Sequence, residues 1–152
     1  RGILSGRSTG EFDPNAPITR AEFAAICARF DTTSTSGNRD FTDISGHWAE
    51  AEIERAAALG WISGYMDGTF RPDQYITRAE AMTIINHVLC RNPESESDLI
   101  DGMKTWPDNT PADWHYLAVQ EATNSHVFIR KDINCECWTA LSSDPDWTRY
   151  QD

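Results

Sequence analysis

Two arginines recur inside the same pentapeptide, Ile18-Thr19-Arg20-Ala21-Glu22 and Ile76-Thr77-Arg78-Ala79-Glu80. In each, a threonine precedes a glutamate by three residues, the spacing of a capping box that opens a helix. The arginine then falls one residue past the N-cap. Open backbone N–H groups and the positive end of the helix dipole favour an anion there, and a guanidinium can hold a carboxylate through two parallel N–H bonds. The chemistry this points to is capture of an acidic group, not bond breaking. The competing reading of Arg20 and Arg78 is a surface arginine in a first helical turn, where a cation is slightly disfavoured. Glu22 and Glu80 are explained by capping alone.

Other chemistries find little support. His47, His87, His115 and His126 share no metal-ligand spacing and read as surface or capping residues. Cys27, Cys90, Cys135 and Cys137 include a lone Cys-x-Cys and no zinc signature, so packed thiols are expected, with one or two bridges left open. No GxSxG or HExxH is present. A hydrolase built on paired carboxylates is the weakest of the readings. We expect no enzyme, no cofactor and no metal. The 13 basic and 24 acidic side chains leave a net charge of −11, which repels nucleic acid and an anionic membrane surface. No stretch approaches the ~18 apolar residues of a membrane helix. Residues 1–10 carry no basic-then-apolar leader, so any secretion signal is expected to lie outside them.

The elements that must position the arginines come from a duplication. Placing Gly2 over Gly60 aligns 2–30 with 60–88 without a gap, and 12 of the 29 positions are identical, Gly6/Gly64, Gly10/Gly68, Phe12/Phe70 and Pro14/Pro72 among them. A weaker third copy starts where Trp106-Pro107-Asp108 matches Phe41-Thr42-Asp43. After one inserted residue Trp48, Ile53 and Ala56 fall over Trp114, Val119 and Ala122. Beyond Phe128 the match ends. The organisation read from this is 1–33, the back half of a first repeat; 38–92, a complete second; and 93–152, a linker with a divergent third.

In the complete copy, Ser45-Gly46-His47-Trp48 opens a helix with Trp48, Ile53, Ala56, Ala57 and Leu59 inward, stopped by Gly60 as a positive-φ C′ residue. Residues 61–68 read as a loop. A second helix runs to about Leu89 with Ala81, Ile84, Ile85 and Val88 buried. In the third copy Pro111 is expected at the first helical position, with Trp114, Leu117, Ala118 and Val119 inward. Residues 31–39 and 91–103 read as linkers, and little strand is expected. Trp138 and Trp147 either pack on the core or line a groove.

The order FTDISGHWAEAEIERAAALGWISGYMDGTFRPDQYITRAE resembles the S-layer homology (SLH) repeat. Residues 41–89 match throughout, 2–30 the back half and 105–128 the front half. The resemblance implies a mainly α fold, tandem helix–loop–helix repeats packed around a pseudo-threefold axis. It also implies a non-catalytic module of the extracellular bacterial cell wall or S-layer. Its partner would be secondary cell-wall polysaccharide, with a pyruvylated end sugar held in grooves between repeats. The alternative is a self-assembly or protein-interaction module of a surface layer.

On that reading the glycan-binding residues would be Arg20, Arg78, Trp48, Trp114, Tyr65, Gly64, Asp67, Asp43 and Asp108. Trp48, Trp114 and Tyr65 offer faces for sugar stacking, although core packing competes for both tryptophans. Gly64 and Gly68 would admit backbone to the ligand. Asp43 and Asp108 also suit caps or turns, and Asp67-Gly68 suits a turn. The copies are unequal. Arg7 and Thr9 replace Tyr65 and Asp67 in the first, the third has no ITRAE arginine, and Phe128-Ile129-Arg130-Lys131 brings basic groups of unknown placement. One or two working grooves are expected, and the missing front helix of the first copy suggests a piece of a longer protein or a covered apolar face.

Overall fold

A computed structural model describes residues 12–31, 40–146 and 148. Their order is α1 (Arg20–Ala28), α2 (Glu50–Ala58), α3 (Arg78–Leu89), a short 3-10 helix (Glu96–Asp98), α4 (Tyr116–Thr123), β1 (His126–Arg130) and β2 (Glu136–Leu141). The chain divides into two compact units, Arg1–Val88 and Leu89–Asp152.

In the first unit, local sequence signals set the helix ends. The Glu22 N–H donates to Thr19 Oγ1 at 3.2 Å and the Thr19 N–H to Glu22 Oε2 at 2.8 Å. Thr77 and Glu80 repeat the pair at 3.2 and 2.9 Å. The end of α2 is a Schellman motif: the Trp61 N–H reaches the Ala56 carbonyl, the Gly60 N–H the Ala57 carbonyl, and Gly60 takes φ 74°.

Helix α1 packs on α2. Ala21, Ala24, Ala25 and Ala28 on one and Ala56 and Ala57 on the other are buried, and such small side chains let two helices approach closely. Ile44, Ile53, Ile62, Phe70 and Ile84 complete the core. The first copy is also stitched to the second through backbone. Thr19 bridges Tyr75 antiparallel, the Arg20 and Ala21 N–H groups donate to the Gln74 and Pro72 carbonyls, and the Ile76 N–H to the Ile18 carbonyl.

The second unit holds the remaining elements. Strands β1 and β2 form an antiparallel hairpin, His126 opposite Leu141 and Arg130 opposite Glu136, with an irregularity between Val127 and Phe128. Asp132 Oδ1 accepts the N–H groups of Asn134 and Cys135 and shapes the turn. The buried residues here are largely polar: Asp98, Asn109, Gln120, Glu121 and Glu136, beside Tyr116 and Trp138.

Several expectations are corrected. Helix α2 starts at Glu50 and not at the Ser45–Trp48 segment, so Trp48 sits in the preceding turn and is 62% exposed. Pro111 likewise lies in a turn, because Asp113 ties back to the Thr110 N–H and hydroxyl and α4 begins only at Tyr116. Trp114 is therefore 70% exposed, while Tyr116 and Gln120 are buried and Leu117, Ala118 and Val119 half-buried. On α3, Ile84 and Asn86 face in and Ile85 is exposed. Trp138 packs inward at 3% exposure. His126 is no surface residue, since its side chain is 1% exposed. All four cysteines are unbridged. The repeat positions before Phe12, Arg7 and Thr9 among them, most of the first linker, and Trp147 lie outside the described residues.

Candidate functional site

The pentapeptide arginines meet different fates. Arg20, 5% exposed, projects from the first turn of α1 into the loop of the second copy. Its Nε–H donates to the Phe70 carbonyl at 2.9 Å, Nη1 to Glu80 Oε1 at 2.6 Å, and Nη2 to the Ser63 carbonyl at 3.4 Å. The guanidinium carbon lies 4.9 Å from the Tyr65 ring centroid and 4.7 Å from that of Phe70. The helix start beneath it is also filled, because the Arg20 and Ala21 N–H groups are taken by Gln74 and Pro72. The open anion position expected at α1 is thus occupied by protein. Burial works against the Glu80 carboxylate. The Thr77 N–H, the Tyr65 hydroxyl and the Arg20 charge outweigh it and hold its pKa below the usual range.

Arg78 is exposed, and among the described residues its side chain has no hydrogen bond or ion pair. Thr77 takes the Glu80 and Ala81 N–H groups of α3, while those of Arg78 and Ala79 have no partner among the described residues. The same sequence thus makes one plugged helix start and one open one.

Between them runs the loop 63–74. Tyr65 donates its hydroxyl to Glu80 Oε1 at 2.9 Å, and burial followed by that carboxylate raises its pKa. Arg71 stacks on the Tyr65 ring at 3.9 Å and its Nη2 donates to Asp67 Oδ2 at 2.9 Å. Asp67 Oδ1 accepts from the Thr69 hydroxyl and N–H at 2.6 and 3.0 Å, and these bonds with Arg71 bring its pKa down to about 2. Asp43 accepts the N–H groups of Phe70 and Arg71 at 2.7 and 2.8 Å, fastening the loop to the segment before α2.

Gly68 takes φ 80°. Gly64 serves packing: a Cβ there would run into the Phe41 ring and come within 2.6 Å of the Thr69 carbonyl oxygen. His47 Nε2 is 3.4 Å from Asp73 Oδ1, which sets the Trp48 turn beside the same loop. Arg71 was not singled out from sequence. Its signal was the four-residue spacing from Asp67.

In the second unit, Asp108 is exposed, and its neighbour Asn109 bonds instead to Tyr116, Gln120 and His115. Lys131 pairs with Glu94 and Asp98, and Arg130 reaches the Cys90 carbonyl. Among the described residues, two groups bring possible metal ligands within 4.8 Å of one another: Glu94, Asp132 and Cys135, and Glu121, His126 and Glu136. A cation of the protein already pairs with carboxylates of each, Lys131 with Glu94 and Arg91 with Glu121 and Glu136.

A family model described as the S-layer homology domain matches residues 1–24 and 40–82. Cell surface glycoprotein 1 of Acetivibrio thermocellus is 36% identical over 144 residues, covering 87% of this chain and 6% of that protein. The cellulosome-anchoring protein of the same organism is 40% identical over 135 residues, 84% of this chain and 29% of its own. The surface layer protein of Brevibacillus choshinensis is 26% identical over 130 residues, 82% and 11%. The chain therefore spans less than a third of each of these relatives.

Proposed function

Because this chain carries S-layer homology repeats, we propose that it is a non-catalytic module that anchors a larger surface protein to the bacterial cell wall. Its place is extracellular. The relatives named for the cell surface, for the surface layer and for cellulosome anchoring support that reading. The ligand we assign is secondary cell-wall polysaccharide, recognised by a carboxylate on its end sugar, as in the pyruvyl ketal the resemblance implies.

The observation that carries the assignment is the contrast between two identical helix starts. Arg20 is spent on the loop of the next copy, while Arg78 is exposed and stands at a helix start where, among the described residues, its own N–H and that of Ala79 have no partner. Those are the groups that grip a carboxylate. Trp48 supplies an exposed apolar ring in the same unit for the C–H face of a sugar, and Trp114 an exposed one in the second. The net charge of −11 leaves affinity to a local site and not to long-range attraction.

Pull-down on purified cell walls, before and after chemical removal of pyruvate ketals, tests this. Binding should be lost with the ketals and also in Arg78→Ala at unchanged folding. Undiminished binding in that variant, with concentration-dependent oligomers in size-exclusion chromatography, would transfer the function to self-assembly.

A further inference from the structure

Three buried side chains of the second unit bring lone pairs together at one place, independently of the glycan reading. Glu121 comes from α4, His126 from the start of β1 and Glu136 from the start of β2. Their side chains are 2%, 1% and 0% exposed. The neighbours of the imidazole fix its tautomer. Nδ1 lies 2.8 Å from the Asn124 carbonyl, which can only accept, so Nδ1 carries the proton. Nε2 lies 2.7 Å from Arg91 Nη2, which can only donate, so Nε2 offers a lone pair. The same Nε2 is 3.0 Å from Glu136 Oε1 and 3.3 Å from Glu121 Oε2.

Three buried acceptors this close repel one another unless a cation stands among them. Arg91 fills that place in part, its Nη2 also lying 2.9 Å from Glu121 Oε1 and 3.4 Å from Glu136 Oε1. The fit is poor. One nitrogen serves all three groups, where a well-seated guanidinium grips a carboxylate with two. Arg91 Nε and Glu136 Oε2 are both buried without a hydrogen-bond partner. A buried polar atom normally has one, and Glu136 Oε2 belongs to a carboxylate of the cluster itself. The Arg91 side chain is 33% exposed, so a path to solvent is open to it.

We propose that Glu121, His126 and Glu136 form a site for a zinc-like divalent cation, which takes the position of Arg91 Nη2 and ties the β1–β2 hairpin to α4. Donors bound to a tetrahedral zinc at about 2.0–2.2 Å stand about 3.3–3.6 Å from one another. His126 Nε2 is already 3.0 and 3.3 Å from the two carboxylate oxygens. Two carboxylates and a neutral imidazole balance a doubly charged ion, whereas a single guanidinium leaves one negative charge uncompensated.

The surroundings suit the same ion. A metal-bound histidine donates its other N–H to a carbonyl or carboxylate, as His126 Nδ1 does to Asn124. Trp138 orients two of the ligands, its Nε1–H donating to Glu121 Oε2 at 2.8 Å and its ring stacking on His126 at 4.0 Å between centroids. Calcium takes about six to eight oxygens and is poorly served by one nitrogen and two carboxylates. The group of Glu94, Asp132 and Cys135 has no such features: both acids are exposed, and Asp132 Oδ1 already accepts two turn N–H groups. Sequence spacing gave no sign of the site because its ligands come from three elements.

The test is titration of the chelator-treated whole chain with zinc chloride, read by calorimetry and by the imidazole nitrogen shifts in NMR. One equivalent should bind at micromolar zinc, raise Tm and shift His126 Nε2 while Nδ1 stays protonated. His126→Gln and Glu136→Gln, checked for folding by circular dichroism, should each weaken binding about tenfold or more. Arg91→Ala should bind zinc more tightly than the natural chain, because the competing cation is gone. A natural chain that binds no zinc overturns the site, as does an Nε2 resonance that zinc leaves unmoved. Weaker binding in Arg91→Ala also overturns it, since Arg91 would then support the ion and not compete with it. Binding kept in His126→Gln and lost in Cys135→Ser overturns it in favour of the group around Glu94.

Discussion

Replacing Arg20 by alanine separates an arginine that holds repeats together from one that holds a ligand. The side chain links three groups of the second copy, Phe70, Ser63 and Glu80, and the pair with Glu80 has side-chain exposures of 6% and 14%. Removing one partner of a buried ion pair costs about 3–5 kcal/mol. Glu80 keeps the Tyr65 hydroxyl and the Thr77 N–H, so the lower figure of about 3 kcal/mol applies. In a unit of this size each kcal/mol moves Tm by about 4–8 °C, which gives a fall of about 12–24 °C. Arg78→Ala removes an exposed, unpaired side chain and should stay within about 0.5 kcal/mol of the parent.

Thermal melts by circular dichroism give the global numbers. Hydrogen exchange at the Arg20 and Ala21 amides, which donate to Gln74 and Pro72, localises the loss to the joint between copies. Wall binding, measured well below the melting point, should survive in Arg20→Ala and fail in Arg78→Ala. An Arg20→Ala variant that melts within about 3 °C of the parent, under 1 kcal/mol on the same scale, yet no longer binds walls would overturn the structural role of Arg20. Arg20 would then act on the ligand.

Three further outcomes are expected. Gly64→Ala should cost about 1–3 kcal/mol in urea denaturation, because the new methyl group meets the Phe41 ring and the Thr69 carbonyl; a loss under 0.5 kcal/mol would show that the loop gives way. Asp67 has a folded pKa of about 2, below its unfolded value of about 3.9, so its contribution is present above pH ~4 and lost as pH falls through 2. A carboxyl-carbon NMR titration should find that midpoint, and in Asp67→Asn the Thr69 amide should lose its acid response. Burial pushes the Cys27 thiol up to about 11, so at pH 8 iodoacetamide should label Cys90 and Cys137 in the folded chain and leave Cys27 until denaturant is added, as read by mass spectrometry. Labelling of Cys27 at the rate of Cys90 would contradict its burial.

Much of the local structure was legible because it is set by groups three or four residues apart. Thr19 and Glu22, or Thr77 and Glu80, complete their boxes from their own spacing, and Gly60 ends α2 because it alone there takes φ 74° without strain. The two glycines around Tyr65-Met66-Asp67 likewise marked 61–68 as a loop, and no helix or strand forms there. The tryptophans were harder. Trp48 and Trp114 stand where an apolar face would begin, and a delay of a few residues in the helix start left both in exposed turns. The strands escaped notice because a short run holding His126 and Arg130 shows no clear alternation, and its pairing depends on Glu136 and Trp138 across the turn.

The amino-acid order alone determined the repeat, the helix caps and the type of each candidate group, since these follow from identity and short spacing. Tertiary structure alone decided what two identical pentapeptides do. Arg20 is buried because Pro72, Gln74 and Phe70, some fifty residues along, fold over its helix start, and Arg78 is open because no described residue does the same. His126 belongs to the same class, its burial and its contacts with Glu136 and Arg91 coming from other segments of the chain. Local pattern carries no information about which backbone arrives from elsewhere, and it is that arrival which sets burial, charge and access.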